Sequence, residues 1–240
     1  MNGAFAPCSG GSMPEEWPPE PGIGVLCREA MGAFAHEIRT PLTSLRMVIE
    51  LARRGADAEG ALLLDRELAE MLLASVDDLQ LLADKLQEMS RLERGKVQLA
   101  PGPCDLRAVV AAAGEMLGGQ PTMELVEPVP ALEGPWDAAR LVRALAGIAL
   151  SVNRMGDGSG TVRLVPRLDG VSVWLEFSSG EPRGEVRPVA ADAGFSYFWG
   201  RQLVVTMGGS VHCERRERFA RVAVMLPLGV AGGGGGGEQR

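Results

Sequence analysis

From Ile23 to Arg54, apolar side chains recur at steps of three and four, with Phe34, Ile38, Leu42, Leu45, Val48 or Ile49, and Ala52 on one stripe. That period predicts a long amphipathic helix. Gly55 to Gly60 interrupts it, and a second stripe runs through Leu64, Leu68, Leu72, Val76, Leu79, Leu82, Leu86 and Met89. The spacing predicts a second long helix folded back on the first. Helices of about 30 residues are some 45 Å long at about 1.5 Å per residue, and a lone hairpin leaves its stripes open to water. Pairing two hairpins into a four-helix bundle buries them, so a homodimer is expected.

After Gly95 the pattern shortens. Extended segments are expected at Val97 to Ala100 and Met123 to Glu127, with a helix from Asp105 to Leu117 between them. A helix from Trp136 to Asn153 leads to strands at Thr161 to Pro166 and Val171 to Phe177. A loop from Ser178 to Ala193 then leads to a helix from Gly194 to Met207, closed by Gly208 and Gly209. Final strands are expected at Val211 to Arg215 and Phe219 to Leu226. These elements describe an α/β sandwich, a mixed sheet with helices on one face. The chain divides into an N-terminal segment 1–21, a hairpin 22–95, an α/β domain 96–230 and a Gly-rich tail 231–240. Both ends are expected to be flexible and to stay outside the fold.

Composition narrows the partners more than the fold. The 240 residues carry a net charge of −7, which argues against a nucleic-acid partner. The longest apolar run, Leu141 to Val152, is broken by Arg143 and falls short of the roughly 20 residues a membrane helix needs. With no basic region and apolar core at the N-terminus, cytoplasmic residence is expected. Cys8, Cys27, Cys104 and Cys213 lack metal-site spacing and are expected to be reduced thiols.

The chemistry concentrates in Ala35-His36-Glu37-Ile38-Arg39-Thr40-Pro41-Leu42. A solvent-facing imidazole titrates near neutrality, so its neutral, nucleophilic form is populated in the cytoplasm. A neighbouring carboxylate such as Glu37 can hydrogen-bond one ring nitrogen and turn the other toward phosphorus. Thr40 lies one turn beyond His36, where its hydroxyl can hold a water. Pro41 has no amide hydrogen for the Glu37 carbonyl, so a bend is expected there. A lone His and Pro would read as a surface residue and a kink, but the whole run resembles the H box of sensor histidine kinases, His-Glu-aliphatic-Arg-Thr-Pro-Leu, matched at every position from His36 to Leu42. The resemblance implies a phosphohistidine at His36, with Glu37 assisting transfer, Thr40 serving dephosphorylation, and Arg39 and Pro41 in support. It also implies a response-regulator receiver domain as partner, bringing the aspartate and its own magnesium ion.

The elements after Asp105 resemble the ATP-binding domain of the same family, but its nucleotide motifs are altered. Where the family carries two asparagines four residues apart, the second a magnesium ligand, this chain has Gly147 and Ser151. Asn153 lies two positions further on, turned by about 200° and pointing away. The family's adenine-binding aspartate is replaced by a serine, Ser178 or Ser179, before Gly180. Its Gly-x-Gly-Leu segment corresponds to Gly194-Phe195-Ser196, followed by Tyr197, Phe198 and Trp199. The aromatic residues either fill a vacated pocket or form a partner surface. His212 reads as structural. Three altered motifs on an intact apolar scaffold describe a pseudokinase module, so no cofactor is assigned; ATP and magnesium are expected only if the domain is a divergent working kinase. The expected function is phosphoryl relay between His36 and a regulator aspartate, with input from an upstream sensor protein. The alternatives are an active autokinase and a non-catalytic scaffold.

Overall fold

The computed structural model describes Trp17 and residues 23–55, 64–189 and 193–228. Helix α1 spans Ile23–Arg54 and α2 spans Arg66–Glu93. Between them, the expected interruption after Gly55 lies outside the described residues. Asp65 caps α2, its carboxylate accepting the Leu68 amide at 2.8 Å. The α1 helix continues through Pro41, which is buried. Ala33, Val48 and Ala52 of α1 and Leu82, Met89 and Leu92 of α2 are buried, whereas Leu42, Met47, Ile49 and Leu73 remain about half exposed or more. One apolar face of the hairpin is therefore left uncovered.

A short strand β1 (Gly102–Asp105) precedes α3 (Leu106–Met116), β2 (Thr122–Leu125) and β3 (Glu133–Trp136). Helix α4 (Ala138–Met155) is followed by β4 (Thr161–Leu168), β5 (Ser172–Ser179), α5 (Phe195–Thr206), β6 (Ser210–Arg215) and β7 (Ala220–Pro227). Strands β1 and β3 pair antiparallel on their own. The main sheet has the order β2-β4-β5-β7-β6, with only the β2–β4 pair parallel. Alternation along β5 buries Val173, Leu175 and Phe177 beneath α4, whose Leu141, Leu145, Ile148 and Val152 are fully buried in turn. Each such side chain removed from water is worth about 1.5–3 kcal/mol.

Several expectations change here. Residues 97–100 form no strand; the paired segment is Gly102–Asp105, and its partner β3 was not anticipated at all. The N-terminal segment was expected to stay outside the fold, and most of it lies outside the described residues. Trp17, however, is seated on the open face of the sheet. The Arg221 guanidinium lies 4.4 Å from its ring, and the His212 ring is 6.0 Å away. Cys27, Cys104 and Cys213 are free thiols. Burial pushes the Cys213 thiol up to about 12, so it stays protonated and unreactive.

Asp137 joins the two halves of the chain. One carboxylate oxygen caps α4 at the Arg140 amide (3.1 Å), and the other accepts the amide of Ala100 in the connecting segment (3.1 Å) and pairs with the Arg140 guanidinium. Burial alone would raise its pKa, but the two amides and Arg140 outweigh it, and the carboxyl is held below the usual range. Replacing Asp137 with Ala is expected to cost about 1–2 kcal/mol in a denaturant titration. The stabilisation is complete above the ordinary aspartate value of about 3.9 and is lost as pH falls through the lower folded value. A wild-type protein whose stability lead over Asp137→Ala stays constant down to the lowest pH would contradict this.

Candidate functional site

On a helix, consecutive side chains diverge by about 100° while residues four apart share a face. His36 and Thr40 are accordingly both exposed on one face of α1, and Arg39 is exposed beside them. Glu37 points elsewhere. Its side chain is only 17% exposed; one oxygen, Oε1, accepts from the Arg154 guanidinium on α4 at 2.6 Å and from the Phe195 backbone amide at 3.1 Å. The sequence expectation that Glu37 would hydrogen-bond the neighbouring imidazole is thus replaced by a contact between the two domains.

The physical reason lies at the start of α5. The first amides of a helix have no partner within it, and together they attract negative charge. The residue at the cap position, Gly194, supplies no side-chain cap. Glu37 provides one from a different element. Gly194 has φ +85°, and a Cβ there would lie 2.5 Å from Arg154 Nη1 and 2.7 Å from Glu37 Oε1. Glycine at this position therefore admits the protein's own carboxylate to the helix end. Phe34, one turn before Glu37, packs edge-on against Phe195 with centroids 5.4 Å apart.

Helix α2 adds a second set of contacts. Lys85 Nζ donates to Ser196 Oγ at 3.0 Å and lies 5.6 Å from the Trp199 ring centroid. Burial pulls the Lys85 pKa below the usual lysine range; the Glu37 carboxylate opposes the shift, while Arg143 and Arg154 add to it. Glu88 accepts from Arg140 (3.3 Å), Arg143 (3.1 Å) and the Trp199 indole (3.2 Å). The sequence reading missed Lys85, Glu88 and Arg154. A charge at Lys85, set among Leu82, Leu86 and Met89 on the buried side of α2, was the available signal.

These groups border an open cleft of about 450 Å³ lined by His36, Glu37, Thr40, Lys85, Arg154 and Ser196, with Asp78 at its hairpin side. The remaining candidates are spent on internal packing. Ser151 Oγ donates back to the Gly147 carbonyl at 2.8 Å. A Cβ at Gly147 would lie 3.1 Å from the Ser196 carbonyl, because α4 and α5 pack closely there. Ser179 Oγ donates to Asp157 at 2.9 Å, and Ser178 pairs across the sheet with Arg163 and Arg221. Gly180, at φ +83°, lies against the Arg218 carbonyl with no room for a side chain. Asn153 accepts the Gly160 amide at 3.0 Å, closing the loop after α4. Phe195, Tyr197, Phe198 and Trp199 are 0–3% exposed: they fill the interior, and the alternative of an open aromatic partner surface is excluded. His212, on β6, has its Nε2 3.1 Å from Ser210 Oγ.

Among the described residues, no helix is long and apolar enough to cross a membrane, and no group of three or more His, Cys, Asp or Glu is placed to hold a metal ion. At the positions aligned with the family's nucleotide motifs, the hydroxyls of Ser151 and Ser179 already have internal partners.

Residues 28–95 match the family described as His Kinase A (phospho-acceptor) domain. Over 185 residues, 74% of the chain, the protein is 30% identical to the sensor histidine kinase MtrB of Mycobacterium tuberculosis (strain ATCC 25618 / H37Rv). It is equally similar, at 30% over 185 residues and 74% of the chain, to MtrB of Mycobacterium leprae (strain TN). The chain spans only about a third of the length of these relatives, 31% and 32% respectively. In fold it is similar to the Acinetobacter baumannii histidine kinase AdeS, with a TM-score of 0.64 at 17% identity, over 81% of this chain and 98% of that one.

Replacing Gly194 with Ala is expected to evict the Glu37 carboxylate and to force a strained backbone, at a cost of about 1–3 kcal/mol. Amide exchange at residues 195–197 should accelerate, and Glu37→Gln added to Gly194→Ala should cost less than Glu37→Gln alone. Unchanged protection at these amides would show that the contact does not hold α5.

Proposed function

The chain belongs to the sensor histidine kinase family, and we propose that within it the protein acts as a phosphotransferase, exchanging phosphoryl groups between His36 and the aspartate of a response-regulator receiver domain. The observation that carries this reading is the exposure of His36 and Thr40 on one helix face; the internal hydrogen bonds of Ser151 and Ser179 in the second domain support it. A relative in fold, the histidine kinase ThkA, has been solved in complex with the response regulator protein TrrA, at TM-score 0.54 and 16% identity over 83% of this chain and 61% of that one.

A neutral imidazole nitrogen attacks phosphorus in line; the N–P bond forms as the P–O bond to the aspartate breaks, and the carboxylate leaves. The receiver domain supplies the magnesium ion. Reversal returns the group, and water held by the Thr40 hydroxyl removes it. Glu37 can act on the His36 ring only after leaving Arg154 and the α5 amide, so transfer is coupled to the seating of the second domain. Half-exposed Leu42 and Ile49 support a homodimer through the hairpin, a cytoplasmic setting suits such a partner, and an upstream sensor protein would supply the input.

The full chain incubated with a radiolabelled phosphorylated receiver domain should acquire label at His36, and His36→Gln should acquire none. Labelled ATP with magnesium should leave the protein unlabelled; strong labelling from ATP would identify a working autokinase, and no labelling from either source would favour a scaffold. Thr40→Ala is expected to lengthen the phosphoryl lifetime about five- to tenfold, the effect of losing one hydrogen bond of about 1 kcal/mol.

A further inference from the structure

The Glu37 carboxylate marks a place where the second domain holds an oxyanion. Arg154 donates to it at 2.6 Å and the Phe195 amide at 3.1 Å. The second cation of the cleft, Lys85 of α2, makes no ion pair with any described residue. Its ammonium group donates to the neutral Ser196 hydroxyl at 3.0 Å, largely out of water. A buried charge satisfied by a neutral partner is costly unless an anion joins it. His36 opens onto the same cleft. Asp78 lies at its hairpin side and repels an anion toward the second domain.

We propose that Lys85, Arg154 and Ser196 form a cradle for the phosphoryl group carried by His36, and that Glu37 occupies this cradle until the phosphoryl group displaces it. The inference rests on the phosphotransferase reading above and adds to it residues of both domains that position the phosphoryl group. A phosphoryl group brings nearly two negative charges and three acceptor oxygens, against one charge and two oxygens for a carboxylate, so it competes well for the guanidinium and the ammonium group. Displacement frees Glu37 next to the imidazole at the moment the histidine is loaded.

Phosphoramidate provides a test that needs neither ATP nor a partner: its P–N bond breaks, ammonia leaves and the imidazole nitrogen takes the phosphoryl group. In a phosphorus NMR titration of the loaded full chain, the phosphoryl group should titrate at lower pH than in the same protein unfolded in urea, by on the order of one unit for adjacent cations. Lys85→Met and Arg154→Met should each move it back toward the unfolded value, and Lys85→Arg should restore the wild-type value. Lys85→Met should melt no lower than wild type, because burial already disfavours the charged amine. Identical titration of wild type and Lys85→Met overturns the proposal.

If His36 takes no phosphoryl group even from phosphoramidate, the phosphotransferase reading fails separately, and the cradle is judged by calorimetry with inorganic phosphate. Binding to Glu37→Gln, at least tenfold tighter than to Glu37→Gln/Lys85→Met, supports the cradle; equal binding or none overturns it.

Discussion

Two long helices cannot bury a stripe each and also present a nucleophile to solvent unless something else covers the rest of their surface. In this protein the covering beside the phosphoacceptor runs through one carboxylate. Glu37 closes the amino end of α5, a helix more than 150 residues further along the chain that has no cap of its own, and pairs with the last cationic residue of α4. The residue beside the phosphoacceptor is thereby fixed by the second domain. Orientation of the α1 face follows: with Glu37 and Phe34 turned toward α5, His36 and Thr40 are left facing out.

The second domain has the mixed α/β fold of histidine kinases, and Ser151 and Ser179 in it make internal hydrogen bonds. Gly147 and Gly200 let α4 and α5 approach until a Cβ on either would meet the other helix's backbone at 3.1 and 2.9 Å. Such an approach gains close packing, which favours the aromatic residues of α5 as interior groups. Trp199 shows the change in role: its ring receives Lys85 and Arg143 on its face and its indole nitrogen donates to Glu88, so one side chain joins α2, α4 and α5.

The hairpin and the main strands were legible because their patterns are local. The helical period predicted α1 over the residues it occupies, and alternation located β4 to β7 to within a few residues. The β1–β3 pair was not legible: Gly102-Pro103-Cys104-Asp105 and Glu133-Gly134-Pro135-Trp136 carry the glycine and proline that normally mark turns, and only pairing between distant segments makes them strands. At the site, the motif identified His36, Glu37 and Thr40 as a group but not where each side chain points. Arg154 and Phe195 lie 117 and 158 residues from Glu37, and no spacing rule connects residues so far apart. Ser151 and Ser179 were legible as departures from the family's motifs; their hydrogen bonds were visible only in three dimensions.

Trp17 sets a length scale. Its ring lies against Arg221, whose guanidinium is held by the buried carboxylate of Glu214 at 2.6 Å, so the indole rests on a cation that is itself anchored. Only residues 18–22 separate it from the first turn of α1, a leash that reaches about 20 Å when fully drawn. While the indole stays in place, the outer face of the sheet cannot travel further than that from the start of the helix bearing His36. The carboxylate of Glu37 and the indole of Trp17 thus bear on opposite sides of the sheet.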